Sequence, residues 1–313
     1  MSIEKVLLIQ PRGFCAGVTR AIEVVEQALQ IFGAPVYVKH EIVHNKTVVE
    51  SLKQKGAVFV ETISEIPENA VCIYSAHGVP PSVLKEAAAK NLTTIDATCP
   101  LVTKVHLEVQ RYAREGKEII YIGHKGHAEA EGVLGVRPDI THLVEKPEDI
   151  PSLQVQNPHK LVYLNQTTFS IDECKATIEA LKAQFPLIES PPADDICYAT
   201  TNRQTAIKQA APQCDVMLIV GSQTSSNSKR LAETARKQGV EAYLVDSLKD
   251  VDMNWFVGKK VLGLSAGASA PEHLVEEIAS HFQQQGAKLE ELKVIDEHMK
   301  FVLPKELEEA RKR

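Results

Sequence analysis

Three similar α/β units built on parallel sheets are the fold class that this sequence predicts, and three observations predict it. A cysteine recurs in one local setting, in "FCAGVTR" at Cys15, "TCPLVTK" at Cys99 and "ICYATTNR" at Cys197, at spacings of 84 and 98 residues. Such intervals are of domain scale. Apolar strand-like runs alternate with helical patterns along the chain, the mark of parallel sheets whose ligands sit at the strand carboxyl ends. Most of these strands also run out into a small polar loop rich in Gly, Ser, Thr or His.

The elements follow in order. Val6-Leu7-Leu8-Ile9 reads as a buried strand, and Val18, Ile22, Val25 and Leu29 at helical spacing read as an amphipathic helix. Cys15 therefore stands at a strand-to-helix junction, where free amides and the helix dipole favour a thiolate. Cys99 follows "TTIDAT" and precedes a helix carrying Val105, Val109 and Tyr112; Cys197 precedes Ala206, Ile207 and Ala210. Each cysteine has Thr at the fourth position after it and a basic residue one or two positions later. The first interval holds "PVYVKHEIVHN" and "AVCIYSAHGVPP", the second "EIIYIGHKGHAEAEG" and "KLVYLNQTTFS", the third "DVMLIVGSQTSSNSK" and "KVLGLSAGASAPE". The units read as 15–98, 99–196 and 197–283, with the first strand (1–14) and a C-terminal segment (284–313) outside them. Packed about a pseudo-threefold axis, they would bring the cysteines and polar loops to one centre.

Composition bounds the function. A hydrophobic content of 44% over 313 residues supports sizeable cores. Net charge is −6 with both signs mixed, so no basic field invites nucleic acid, and the terminal "ARKR" reads as a solvated tail. The opening "MSIEKVLLIQ" has too short an apolar run for a signal peptide, and no stretch approaches the ~20 residues of a membrane span. The expectation is a cytoplasmic protein with no membrane partner. In such a reducing compartment the six cysteines are thiols or metal ligands. No CxxC pair occurs, so any metal site draws on distant parts of the chain.

One cysteine at such a junction is ordinarily a small core filler; three in the same setting point to shared chemistry. Cys72, Cys174 and Cys214 lack that setting and read as buried hydrophobes. Three thiolates suit a zinc ion with an open position or an iron–sulfur cluster with one iron free of protein thiolate, and thiol count alone does not separate them. His44, His77 and His127 each follow a strand-like run, which points to a shared anionic ligand. "TSSNSKR" and "SAGASAPE" add hydroxyls, an amide and helix N-terminal N–H groups suited to phosphate. Ser269-x-x-Glu272 also fits a capping box. Glu129 reads either as a solvated helix-start glutamate or, facing an anion, as a carboxyl of raised pKa with a proton to transfer. Thr167 and Thr168 either orient a ligand and pass a proton or cap the helix beginning near Ile171. No Walker A or G-x-G-x-x-G pattern indicates a nucleotide.

The motifs "PRGFCAGVTRA", "HEIVHN", "SAHGV", "DATCPLVTKVH", "GHKGHAEAEG", "NQTTFS", "DDICYATTNRQ", "VGSQTSSNSKRL" and "SAGASAPE", in order from residue 11 to 272, resemble the 4-hydroxy-3-methylbut-2-enyl diphosphate reductase family. "HMKFVLPKEL" is similar to that family's closing segment. The resemblance implies a three-unit trefoil around a central 4Fe–4S cluster held by Cys15, Cys99 and Cys197, with one iron open for the substrate hydroxyl. It implies diphosphate binding by His44, His77, Ser225, Asn227 and Ser269, with Ser226 beside them. It further implies a ligand contact at His127, a proton donor at Glu129 and a substrate-hydroxyl contact at Thr167. The reaction implied is reductive loss of an allylic hydroxyl from a small diphosphate in the methylerythritol phosphate route to isoprenoids. Without a flavin or nicotinamide motif, its electrons are expected from a separate carrier such as flavodoxin or ferredoxin. One departure stands out: the chain has His127-Ala128-Glu129 where the family commonly shows His-Pro-Glu. A non-catalytic cluster sensor or carrier would leave the His/Ser/Asn ring without a role. A metal-dependent phosphohydrolase would not need three equivalent thiolates.

Overall fold

Residues 3–193 and 195–312 are described by the computed structural model; Met1, Ser2, Asp194 of the third cysteine motif and Arg313 of the basic tail lie outside them. β1 (Lys5–Gln10) leads through the Cys15 loop into α1 (Ala16–Phe32), β2 (Val36–Lys39) and α2 (Lys46–Gln54). β3 (Ala57–Val60), β4 (Val71–Tyr74), α3 (Pro81–Ala89) and β5 (Thr93–Asp96) then reach Cys99, where α4 (Pro100–Arg114) begins. β6 (Glu118–Ile122), α5 (Ala128–Leu134), β7 (Thr141–Val144), β8 (Leu161–Asn165) and α6 (Ile171–Gln184) precede Cys197 and α7 (Tyr198–Ala210). β9 (Val216–Val220), α8 (Ser226–Lys237), β10 (Glu241–Val245), β11 (Val261–Ala266), α9 (Glu272–Gln284), β12 (Lys288–Lys293) and α10 (Lys305–Arg311) complete the order.

The strands form three parallel sheets, β3-β2-β4-β5, β7-β6-β8 and β10-β9-β11-β1-β12. Three α/β units on parallel sheets are thus present, and the sheets share one strand order. In each, a central strand (β2, β6 or β9) lies between the next strand in sequence and the one after that. Beyond the latter comes the segment leading into a cysteine: β5 before Cys99, β1 before Cys15, and an isolated parallel bridge from Val162 to Glu189 before Cys197. That bridge explains why the sequence shows no strand ahead of the third cysteine.

Contacts divide the chain into two compact units. The first, residues 1–18, 44–50 and 198–300, holds the five-stranded sheet; the second, residues 19–43, 51–197 and 301–313, holds the other two. In the first unit Val216, Leu218 and Val220 of β9 pack with Phe256, Leu264 and Ile278, while Met217 and Ile219 pack oppositely with Ala206, Ile207 and Leu231. Alternate side chains thus bury both faces, as helices on both sides of a parallel sheet require. In the second unit β6 divides likewise, Ile120 and Ile122 meeting Phe169 and Leu181, Ile119 and Tyr121 meeting Val105, Ala130 and Val133. β1 and β12, in segments that the sequence reading sets outside the units, both pair within the five-stranded sheet. β12, "KLEELK", is largely exposed, and its polar side chains suit a sheet edge. Among the described residues no helix is long and apolar enough to cross a membrane.

Candidate active site

Each repeated cysteine stands immediately before a helix, α1, α4 or α7, and each is partly accessible. Their amides are held alike. Cys15 N–H donates to Ala268 O (3.1 Å), Cys99 N–H to Ala76 O (3.0 Å) and Cys197 N–H to Thr167 O (2.9 Å). Every acceptor lies in, or next to a residue of, one of the polar loops, since Ser269 follows Ala268 and His77 follows Ala76. Each thiol-bearing residue is therefore fixed to a loop with a predicted ligand contact.

Within the first unit the residues expected to bind an anion come together. Ser225 caps α8, its Oγ accepting from the Ser228 N–H at 3.3 Å. Ser269 Oγ donates to His44 O (3.1 Å) and approaches Ser225 Oγ at 3.5 Å. Asn227 Oδ1 accepts from Ala268 N (2.8 Å) and its Nδ2 donates to Thr200 Oγ1 (3.3 Å), so one amide ties two loops. Ser225, Ser226, Asn227 and Ser269 are all buried. Glycine makes the approach feasible: a Cβ at Gly221 or Gly267 would lie 2.2 or 2.0 Å from Ser228 Oγ. The capping-box expectation for Ser269 and Glu272 fails, because α9 starts at Glu272 behind Pro271 with no side-chain cap. Ser269 is thus two residues short of the cap and points its hydroxyl at the neighbouring loops.

Within the second unit the His and carboxylate positions form a connected set. His77 and His127 meet edge to face with ring centroids 6.0 Å apart, and Ser75 Oγ lies 3.2 Å from His77 Nδ1. His127 caps α5, its Nδ1 accepting from the Glu129 N–H at 3.1 Å. A neutral His127 consequently carries its proton on Nε2, leaving that edge as a donor. Glu129 is 2% exposed, which removes the solvated reading. Thr167 N donates to Glu129 Oε1 (2.7 Å) and Thr167 Oγ1 to Oε2 (2.9 Å). Burial pushes Glu129 up to about 7 despite these two bonds, which favour the charge. The cause differs from the expected one, being desolvation within the chain's own core. Neither threonine caps α6, because Ser170 does so and Thr168 Oγ1 accepts from Gln166 Nε2 (3.0 Å).

The remaining cysteines behave as hydrophobes. Cys72 and Cys174 are buried in cores of the second unit, and Cys214 packs against a core of the first. Burial raises the thiols of Cys72 and Cys214 to about 12, so neither is a ready thiolate. Sequence reasoning passed over two neighbours of the carboxyl site. Tyr121 is wholly buried on β6, and desolvation, then the nearby Glu129 charge, raises its phenol well above the ordinary value. An aromatic within an apolar strand run carries no sequence signal of this. Asp195 accepts from Asn165 N (3.1 Å) beneath β8; a carboxylate two or three residues ahead of both Cys99 and Cys197 was the available signal.

Known proteins match the chain along its length. A 4-hydroxy-3-methylbut-2-enyl diphosphate reductase of Azoarcus sp. (strain BH72) is 54% identical over 312 residues, covering 99% of this chain and 100% of the relative. A protein of the same name from Neisseria gonorrhoeae (strain NCCP11945) is 53% identical, covering 98% and 96%. The structure of the E-1-hydroxy-2-methyl-but-2-enyl-4-diphosphate reductase from Plasmodium falciparum superposes with a TM-score of 0.96 at 40% identity, covering 99% of this chain and 98% of that one. The LytB protein family profile matches residues 6–283, and the chain belongs to that family.

Proposed function

We infer that this chain reduces (E)-4-hydroxy-3-methylbut-2-enyl diphosphate, removing the allylic hydroxyl as water with two electrons and two protons and releasing isopentenyl and dimethylallyl diphosphates. It is an oxidoreductase, as its relatives are named. We assign a 4Fe–4S cluster to Cys15, Cys99 and Cys197. The donor set fits that group: three soft thiols at helix starts suit iron–sulfur ligation, while burial keeps Cys72 and Cys214 protonated. When bound, such a cluster supplies electrons one at a time and an open coordination position. An external carrier of the flavodoxin or ferredoxin kind would load it, in the reducing cytoplasm where thiolates persist.

The chain's own residues do the rest. His44, His77, Ser225, Ser226, Asn227 and Ser269 bind the diphosphate, whose binding energy orients the distant alcohol. His127 offers its Nε2–H to the ligand. Glu129 holds the proton, and its two bonds to Thr167 support one seat for it. Oε1 receives an amide N–H, which cannot turn away, so the acidic proton sits on Oε2 beside the Thr167 hydroxyl. Thr167 then accepts from Oε2 and donates its own hydrogen to the departing substrate oxygen. A carboxyl held near 7 by burial is half loaded at neutral pH, where a general acid works best.

The buried Glu129–Thr167 pair carries this reading, because a cluster carrier or sensor has no use for a neutral carboxyl beside an anion site. The test is anaerobic incubation of reconstituted protein with the allylic alcohol diphosphate and a reduced viologen. Formation of both isoprenyl diphosphates is expected; release of inorganic phosphate, with the hydroxyl retained, would replace this reading with a hydrolase.

A further inference from the structure

The sequence repeats a basic residue behind each of the three cysteines, and the proposed chemistry leaves these cations unused. Their contacts are systematic. Arg20, one turn into α1 after Cys15, donates from Nη1 to Thr98 O (3.0 Å) and from Nη2 to Asp96 O (3.3 Å), the backbone just before Cys99. Lys104, on α4 after Cys99, donates to Asp195 Oδ1 (2.9 Å) and Ala193 O (3.2 Å), the segment just before Cys197. Arg203, on α7 after Cys197, donates from Nη2 to Gly13 O (2.8 Å), the loop just before Cys15. Each bond lies within one compact unit. The order is nonetheless cyclic, with the cation behind each cysteine gripping the approach to the next.

Resting on the reading that Cys15, Cys99 and Cys197 carry the cluster, we propose that Arg20, Lys104 and Arg203 are positioning residues, each fixing the backbone that leads into the next ligand cysteine. Arg20 and Arg203 are 9% and 1% exposed. Burying a guanidinium is costly, and an apolar side chain of like volume would usually serve stability as well. Burial of a cation is therefore explained by what it holds. Arg203 shows this most clearly. Its Nη1 is occupied by Glu297 (2.9 Å) and Ala199 O (3.1 Å), which leaves Nη2 aimed at the carbonyl of Gly13. Gly13 has a left-handed backbone (φ +71°), and its carbonyl sets the turn that delivers Cys15 to the start of α1. With the amide bonds to Ala268, Ala76 and Thr167, each cysteine is held on its own N–H and on its upstream chain. Such double fixation holds the backbone of each cysteine before any cluster is bound.

The test compares Lys104→Met, Lys104→Arg and Arg203→Lys with a control, Lys259→Met, which removes a surface pair to Glu241 (3.2 Å) outside the three cysteine motifs. Three quantities are read: apo-protein Tm, the rate of iron transfer from loaded protein to a ferrous chelator, and the electron paramagnetic resonance spectrum of the reduced cluster. Loss of a charge-assisted hydrogen bond at a ligand junction should speed iron loss by about tenfold or more in Lys104→Met. The spectrum should change in Lys104→Met and Arg203→Lys, Lys104→Arg should recover the parent rate, and the apo Tm of Lys104→Met, lowered below that of Lys259→Met by the unpaired buried Asp195, should stay above the assay temperature. If Lys104→Met cannot be loaded while its apo form is folded at the assay temperature, the inference stands. Parental release rates and spectra in both variants would overturn it, as would an apo Tm loss large enough to account for the lost cluster. A parent protein that takes up no cluster would instead overturn the assignment of the three cysteines, and this inference with it.

Discussion

Glu129 concentrates the residue-scale argument. Its carboxyl is raised from 4.5 to about 7 by burial, so between those values the native state holds a proton that the unfolded chain has released. That contribution to stability is fully present below about pH 4.5 and is lost as pH rises through about 7. Glu108, raised to about 7 first by burial and then by the nearby Asp195 charge, acts in the same direction. Apo-protein stability should therefore fall from pH 5 to pH 8, and Glu129→Gln should flatten the slope without abolishing it. A variant as steep as the parent would show that Glu129 titrates normally. In single turnover with a chemically reduced cluster, the same variant should lose roughly 10²-fold or more in rate at unchanged iron content, since it retains shape but no acidic proton. At this scale the sequence showed which side chains to watch but not their states. A glutamate two residues after a histidine reads equally as solvated or buried, and only the bonds from Thr167 and the cover of β6 decide.

At the scale of elements, strand-to-helix junctions were legible wherever an apolar run met a helical period. α1, α4 and α7 stand where Val18, Val105 and Ala206 place them. β3, β7 and β10 were passed over, being short flanking strands of four or five residues with partly exposed side chains. β12 was hidden by its polar sequence, and the bridge at Glu189 by its single residue. The loops after β9 and β11 pack through Gly221 and Gly267 against Ser228, a contact that only the absence of a side chain allows. Gly267→Ala should cost about 1–3 kcal/mol as an overpacked site, read as a lower urea midpoint at unchanged m-value. It should also weaken inhibition by inorganic diphosphate, because Ala268 N and Asn227 Oδ1 would move apart. Parental inhibition in a destabilised Gly267→Ala protein would separate that clasp from the anion site.

For the whole molecule, the repeated cysteine setting carried the fold class, since three sheets share one strand order and three amides share one bonding scheme. What the linear reading missed is that the third sheet draws β1 from the opposite end of the chain, a pairing that no local pattern announces. The residues we assign to the diphosphate are scattered along the sequence, from His44 and His77 to Ser225, Asn227 and Ser269. Inorganic diphosphate should accordingly compete with substrate, and His77→Ala and Ser269→Ala should each weaken that competition by roughly 1.5–3 kcal/mol. Undiminished competition in both would detach the ring from the diphosphate. The most direct test of the central claim, a cluster on Cys15, Cys99 and Cys197, is iron and acid-labile sulfide analysis of anaerobically purified single Cys→Ser variants. Equal iron and sulfide are expected in the parent and in Cys72→Ser, Cys174→Ser and Cys214→Ser, with both lost together with the brown colour in Cys15→Ser, Cys99→Ser and Cys197→Ser. A folded, colourless Cys174→Ser protein, or a Cys99→Ser protein with parental iron and sulfide, would contradict it.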